Sequence, residues 1–147
     1  MSQRVEFYLL EQSSDDALLH YACRLLSKVY EAKLSAFILA NSAKQMAQID
    51  RLLWAQSDAD FIPHALYNST EGTHPLTKIS IGQSLPEQHQ FDMLVNLCHG
   101  DTITGQNFKR IAELVSADEQ HKANARKRYA QWRDQNAELK LHNISAR

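Results

Sequence analysis

The chain has 147 residues, 44% of them hydrophobic and 22% charged, with a net charge of −1 at neutral pH. That length fits a single domain with a real core, and no stretch approaches the roughly 20 apolar residues of a membrane span. A net charge so close to zero argues against a general nucleic-acid binder, whose domain would be strongly basic, so any recognition of anions has to be local.

Val5 to Leu10 is mostly apolar and β-favouring and predicts a first strand, reached directly from an amino terminus that lacks a signal-peptide apolar region. Ser13, Ser14, Asp15 and Asp16 offer N-cap candidates and first-turn acids. The spacing of Leu18, Ala22, Leu25 and Val29 then predicts a helix to about Lys33. Ala36 to Ala40 reads as a buried strand. Asn41 or Ser42 caps a second helix through about Ala55, with Met46, Ile49, Leu52 and Leu53 on its apolar side. Strand, helix, strand, helix is the opening of a βαβ unit with a parallel sheet covered on both faces.

Residues 56 to 66 read as a loop around Pro63, and Asn68 to Thr73 as a surface turn. Thr77 to Ile81 alternates and predicts a strand near a sheet edge, and Phe91 to Cys98 predicts another, mostly apolar one. Gly100 and Gly105 flank a turn. Phe108 to Val115 is ambiguous, with a strand favoured in its second half. Ala117, Asp118 and Glu119 open a last helix, and residues 142–147 are expected to fray. The fold expected is α/β: one three-layer α/β/α domain over residues 1–147 with a mostly parallel central sheet, Rossmann-like but without a nucleotide-binding loop.

No G-x-G-x-x-G or Walker A sequence occurs, and the glycines at 72, 82, 100 and 105 follow no strand-to-helix phosphate pattern. The seven histidines contain no H-x-x-x-H pair, and no Cys/His cluster has zinc spacing, so neither metal nor cofactor is expected. Cys98 and His99 are adjacent and would point to opposite faces of a strand, which opposes a nucleophile–base pair. Asp15 and Asp16 are better explained as helix-start residues than as an acid–base couple. Cys23 and Cys98 sit in apolar surroundings without CxxC spacing, which predicts reduced core thiols in a cytoplasmic protein.

Two segments stand out as contact surfaces. Residues 122–133 hold five cations, two aromatics and no acid, inside a chain whose remainder is acidic. On a helix Lys122, Arg126, Tyr129 and Arg133 share one face, while Trp132 is placed to pack on the sheet. A one-signed stripe around an aromatic suits an anion that ends in an apolar group; single-stranded DNA stacked on Tyr129 is the alternative. The second segment spends Trp54, Phe61, Ile62 and Pro63 within ten residues, which means either a loop folded back on the core or an interface.

Phe7-Tyr8-Leu9-Leu10, Leu53-Trp54-Ala55 with Phe61-Ile62-Pro63-His64, and Ala125-Arg126-Lys127-Arg128-Tyr129 occur in an order and spacing that resembles the chi subunit of the bacterial DNA polymerase III holoenzyme. The resemblance covers essentially the whole chain. It implies a non-catalytic accessory subunit of a DNA-directed DNA polymerase complex, with the three-layer α/β/α fold and no working nucleotide site. It also implies a heterodimer with the psi subunit, which leads to the clamp loader, and binding of the acidic, phenylalanine-ended tail of single-stranded DNA-binding protein. Nucleic acid would then be contacted indirectly. By position, Val115, Lys122, Arg126 and Tyr129 match the family's tail pocket. Trp54, Phe61, Ile62 and Pro63 fall in the block associated with the psi-facing surface, which a helicase could share. Where the family can carry a further basic residue after the tyrosine, this chain has Ala130, leaving Lys127, Arg128 or Arg133 to supply that charge.

Overall fold

A computed structural model of the chain describes residues 3–55, 62–67, 78–87 and 90–145. Along the chain come β1 (Arg4–Leu10), α1 (Asp15–Glu31), β2 (Ala36–Leu39), α2 (Ala43–Trp54), β3 (His64–Leu66), β4 (Ile79–Gly82), β5 (Met93–Asn96), β6 (Arg110–Val115), α3 (Glu119–Asp134) and β7 (Glu138–Ile144). The strands form one sheet in the order β3-β4-β2-β5-β6-β1-β7, every neighbouring pair parallel. The expected surface turn 68–73, Thr77 and Phe61 lie outside the described residues.

Alternation along each strand divides the core in two. Ala36 and Ile38 of β2 face α1 and α2, together with Leu18, Leu26, Ile49 and Leu53. Phe37 and Leu39 face the other way, into the cluster of Val5, Phe7, Leu94, Ile111, Val115 and Trp132 beneath α3. Strands buried on both faces read as continuous apolar runs, which is why β2 and β5 carry no polar alternation. α1 turns Leu18, Leu19, Ala22, Leu25, Leu26 and Val29 inward, the stripe of an amphipathic helix.

Each helix start is satisfied by a short polar side chain. Ser14 Oγ accepts from Ala17 N–H at 3.2 Å and Ser42 Oγ from Gln45 N–H at 3.1 Å. Asp118 Oδ1 takes both Gln120 N–H and His121 N–H, at 2.9 and 3.0 Å. α1 and α3 end on Lys33 (φ 62°) and Asn136 (φ 61°), left-handed residues one position past the C-cap.

Two edge strands depart from the sequence reading. His64–Leu66, expected as loop, is the short strand β3 pairing with β4. His142–Ile144, expected to fray, completes β7, which pairs with β1 from Arg4↔Glu138 to Leu10↔Ile144. The segment is half polar because only its inner side meets the core, and the β1 ladder supplies the order that composition alone does not.

Candidate functional site

α3 follows the C-terminal end of β6 and lies across the sheet toward the start of β7. Ala125, Arg128 and Trp132 form its buried stripe, at helical spacing, while Lys122 and Tyr129 are half-buried and Arg126, Lys127 and Arg133 exposed. Between this helix and the sheet lies an open cavity of about 320 Å³. Phe7 and Leu9 of β1, Val115 of β6 and Leu141 of β7 supply its apolar side; Lys122, Ala125, Arg126 and Tyr129 supply the helix side. Tyr129 is held by a tilted contact with Phe7, ring centroids 5.6 Å apart. Lys122 Nζ lies 3.7 Å from Glu119 Oε1 on the solvent side. The structure thus brings Val115, Lys122, Arg126 and Tyr129, scattered over fifteen residues of sequence, to one concavity.

The remaining cations of the stripe do not join it. Lys127 and Arg133 are absent from the cavity wall, and Arg133 Nε lies 3.9 Å from Asp134. Arg128 corrects the sequence reading outright. Its side chain is 2% exposed against a Glu113 side chain at 0%, with Nε 3.4 Å from Glu113 Oε2, so it cannot supply charge to a ligand. The same carboxylate accepts Trp132 Nε1–H at 3.2 Å and, on Oε1, Asn96 Nδ2–H at 2.7 Å. Arg128 Nη1 also donates to Gly100 O. Buried charges persist only when paired and hydrogen-bonded in this way. The signal for this cluster was present in the sequence: Glu113 interrupts the apolar run of β6.

Polar side chains of α3 also hold the loop after β5. Asn124 Nδ2 donates to His99 O at 2.8 Å, Gln131 Nε2 donates to Asp101 O at 2.6 Å, and Gln131 Oε1 accepts Ile103 N–H at 3.1 Å. His99 stacks on His121 with centroids 3.5 Å apart. Burial, with the charges of His121 and Arg128, pushes the His99 imidazole down to about 4. His121 Nδ1 meets Ser116 Oγ at 2.6 Å, but its Nε2 is 3.9 Å from Asp118 Oδ1, too far for a hydrogen bond. Asp118 is committed to the helix cap and Ser116 is 1% exposed, so the trio is structural. Cys98, its thiol raised by burial and by Glu113, donates Sγ–H to Ala40 O at 3.7 Å. Among the described residues no group of three His, Cys, Asp or Glu is placed to hold a metal ion, and no helix is long and apolar enough to cross a membrane.

On the opposite edge of the sheet, Trp54 ends α2 with 63% of its surface exposed, its ring set edge-on to His64 at 5.6 Å. His64 sits under it with Nδ1 2.8 Å from Ile62 O and Nε2 2.8 Å from Asp50 Oδ1. Pro63 is exposed, as is Leu66 of β3. Ile62 corrects the sequence reading: at 2% exposure it belongs to the core beside α1 and α2 and is not a contact surface. Phe61 lies outside the described residues.

Comparison with known proteins decides the family. The family model described as DNA polymerase III chi subunit, HolC, matches residues 1–140. The chain belongs to the DNA polymerase III chi subunit family. It is therefore a replication accessory subunit. Two bacterial relatives carry the name DNA polymerase III subunit chi. That of Pseudomonas aeruginosa is 29% identical over 96% of both chains. That of Haemophilus influenzae is 30% identical over 98% of this chain and 99% of its own. The solved structure of T4 UvsW superposes with a TM-score of 0.71 over 97% of this chain at 8% identity, and the chain spans 42% of that protein. At that identity the likeness is one of fold alone.

Proposed function

We propose that the chain is an adaptor without a reaction of its own, linking the clamp loader, through a psi partner subunit, to the acidic C-terminal tail of single-stranded DNA-binding protein in the cytoplasm. The observation that carries this reading is the single cavity shared by Val115, Lys122, Arg126 and Tyr129. An apolar cavity of about 150 Å³ is enough to hold benzene, so about 320 Å³ leaves room for a terminal phenyl ring between Tyr129, Val115 and Leu141. Arg126 can then take the terminal carboxylate with two parallel hydrogen bonds, and Lys122 adds a point charge for the aspartates.

Each charge-assisted bond contributes about 1.5–3 kcal/mol, against which a short peptide gives up its disorder. The expected affinity is micromolar and weakens with salt. Weak single contacts suffice because the DNA-binding protein is repeated along its strand. Burial of Arg128 interrupts the cationic surface that direct strand binding would use, which favours the peptide. A labelled tail peptide titrated into wild type and Arg126→Ala tests the pocket: equal affinity for both sinks it. Competition by single-stranded DNA against the peptide would instead favour direct strand binding.

For the psi-facing surface the support is Trp54, Pro63 and Leu66, exposed together on the edge opposite the cavity. A largely exposed tryptophan beside exposed apolar residues is what an interface anchor looks like. Co-purification with the psi partner should be lost in Trp54→Asp while the fold is kept. Retention of the complex would remove this surface from consideration.

A further inference from the structure

The cavity beneath α3 is open at the sheet edge, because its outer wall is Leu141 on the last strand, β7. Glu138 N–H donates inward to Gln3 O at 2.8 Å. Alternation along β7 then turns the backbone N–H and C=O groups of Leu139, Leu141 and Asn143 outward, away from β1. Leu139 and Leu141 stand opposite Val5 and Phe7, so their side chains lie on the α3 side, and Leu141 is 52% exposed. One residue therefore offers a cavity wall with its side chain and an edge-strand backbone with its main chain.

Edges that must not pair are usually guarded by charge, bulges or proline. β7 carries Glu138 and Lys140 at its start, but Leu141, His142, Asn143 and Ile144, beside the cavity, include no acid, lysine or proline. On the cavity side this half meets Lys122 and Arg126, with Lys140 exposed on the strand itself; on the other side Arg24 and Glu11 share a cleft with Ile144, and Glu6 is taken up by His142. The cavity-side charge complements an acidic, extended chain and opposes a basic one.

We propose that the tail segment just upstream of the terminal residue in the cavity adds to β7 as an eighth strand, its backbone bonded to Leu141 and Asn143. This rests on the cavity being the tail site, as argued above. It makes recognition depend on main-chain pairing as well as on the terminal carboxylate and ring, and it explains why residues 141–144, the stretch of the edge without acid, lysine or proline, sit directly beside the cavity.

The test uses the full-length chain and an acidic nonapeptide ending in phenylalanine with a free carboxylate. Single N-methylation at successive upstream positions should weaken binding by about fivefold at alternate residues and little between them. Asn143→Pro removes an outward N–H without touching the β1 ladder. It should weaken the nonapeptide by a similar factor and leave the last three residues of the tail, as a short peptide, unaffected. Amide exchange at Leu141 and Asn143 should slow when the nonapeptide binds. Arg126-dependent binding with flat N-methylation and unchanged exchange would overturn edge pairing while leaving the cavity site standing. Binding insensitive to Arg126→Ala, or absent, would overturn both. A peptide-free dimer abolished by Asn143→Pro would assign the edge to a second copy of the chain and also overturn the proposal.

Discussion

Arg126 and Arg128 stand two residues apart on α3, yet one faces solvent at the cavity and the other is sealed against Glu113 and Gly100. The outer face of the helix offers loosely held charge to a ligand, and the inner face uses the same chemistry to fix the helix on the sheet. A charge on the outer face costs little in stability because water solvates it, and it remains free to bind. A charge on the inner face has given up its hydration, so everything depends on its partners staying in place. Identical side chains thus carry different tasks according to the half-turn they occupy.

The largest effect should come from the inner face. Arg128→Ala strands a buried Glu113 carboxylate and is expected to cost about 3–5 kcal/mol, read from urea unfolding. The paired change Glu113→Leu with Arg128→Met should recover most of that loss, because two apolar residues replace two charges. Failure of the double variant to recover would mean that Trp132 and Asn96, which share the same carboxylate, matter more than the ion pair.

Arg126→Ala should do the opposite: stability within about 0.5 kcal/mol of wild type, and tail affinity lower by about tenfold or more. Isothermal titration beside a urea melt separates the two. A variant that both unfolds and loses binding would erase the contrast between the faces.

A third prediction concerns the loop that α3 holds through Asn124, Gln131 and the His99–His121 stack. His99 stays neutral in the folded chain down to about pH 4, whereas an unfolded histidine takes up a proton below about 6.5. The unfolded state therefore binds more protons between those values. Stability present above pH 6.5 is lost as the pH falls toward 4, by on the order of 2 kcal/mol once solvent screening of this part-exposed ring is allowed for. His99→Gln should flatten that part of the pH profile of the urea midpoint; an unchanged slope would assign it to other groups. The smallest effect belongs to the far edge, where Trp54→Ala should change stability by no more than about 0.5 kcal/mol, since its ring is mostly exposed. A larger loss would show that its contact with His64 supports the core.

Much of this was legible in the chain. Continuous apolar runs announced β2 and β5, serines and Asp118 announced the helix starts, and Trp132 was recognisable as the residue that packs α3 down. Val115, Lys122, Arg126 and Tyr129 were identifiable through the family motif, and the structure places them around one cavity. β3 and β7 were missed for the same reason: edge strands meet the core on one side or only at their ends, so their sequences carry little hydrophobic pattern. Ile62 was misplaced because an isoleucine between an aromatic and a proline gives no local hint of which way it turns.

The sequence alone determined where the three helices and the inner strands lie and that α3 is rich in unbalanced positive charge, because periodicity and capping act over a few residues. Only the tertiary structure decided which of those charges remain available. The rotation of α3 is set by Glu113 of β6, itself held by Asn96 of β5, and by the loop at Gly100, through contacts 15 to 28 residues apart along the chain. A helix cannot be read as a binding face until the sheet beneath it has claimed the side chains it needs.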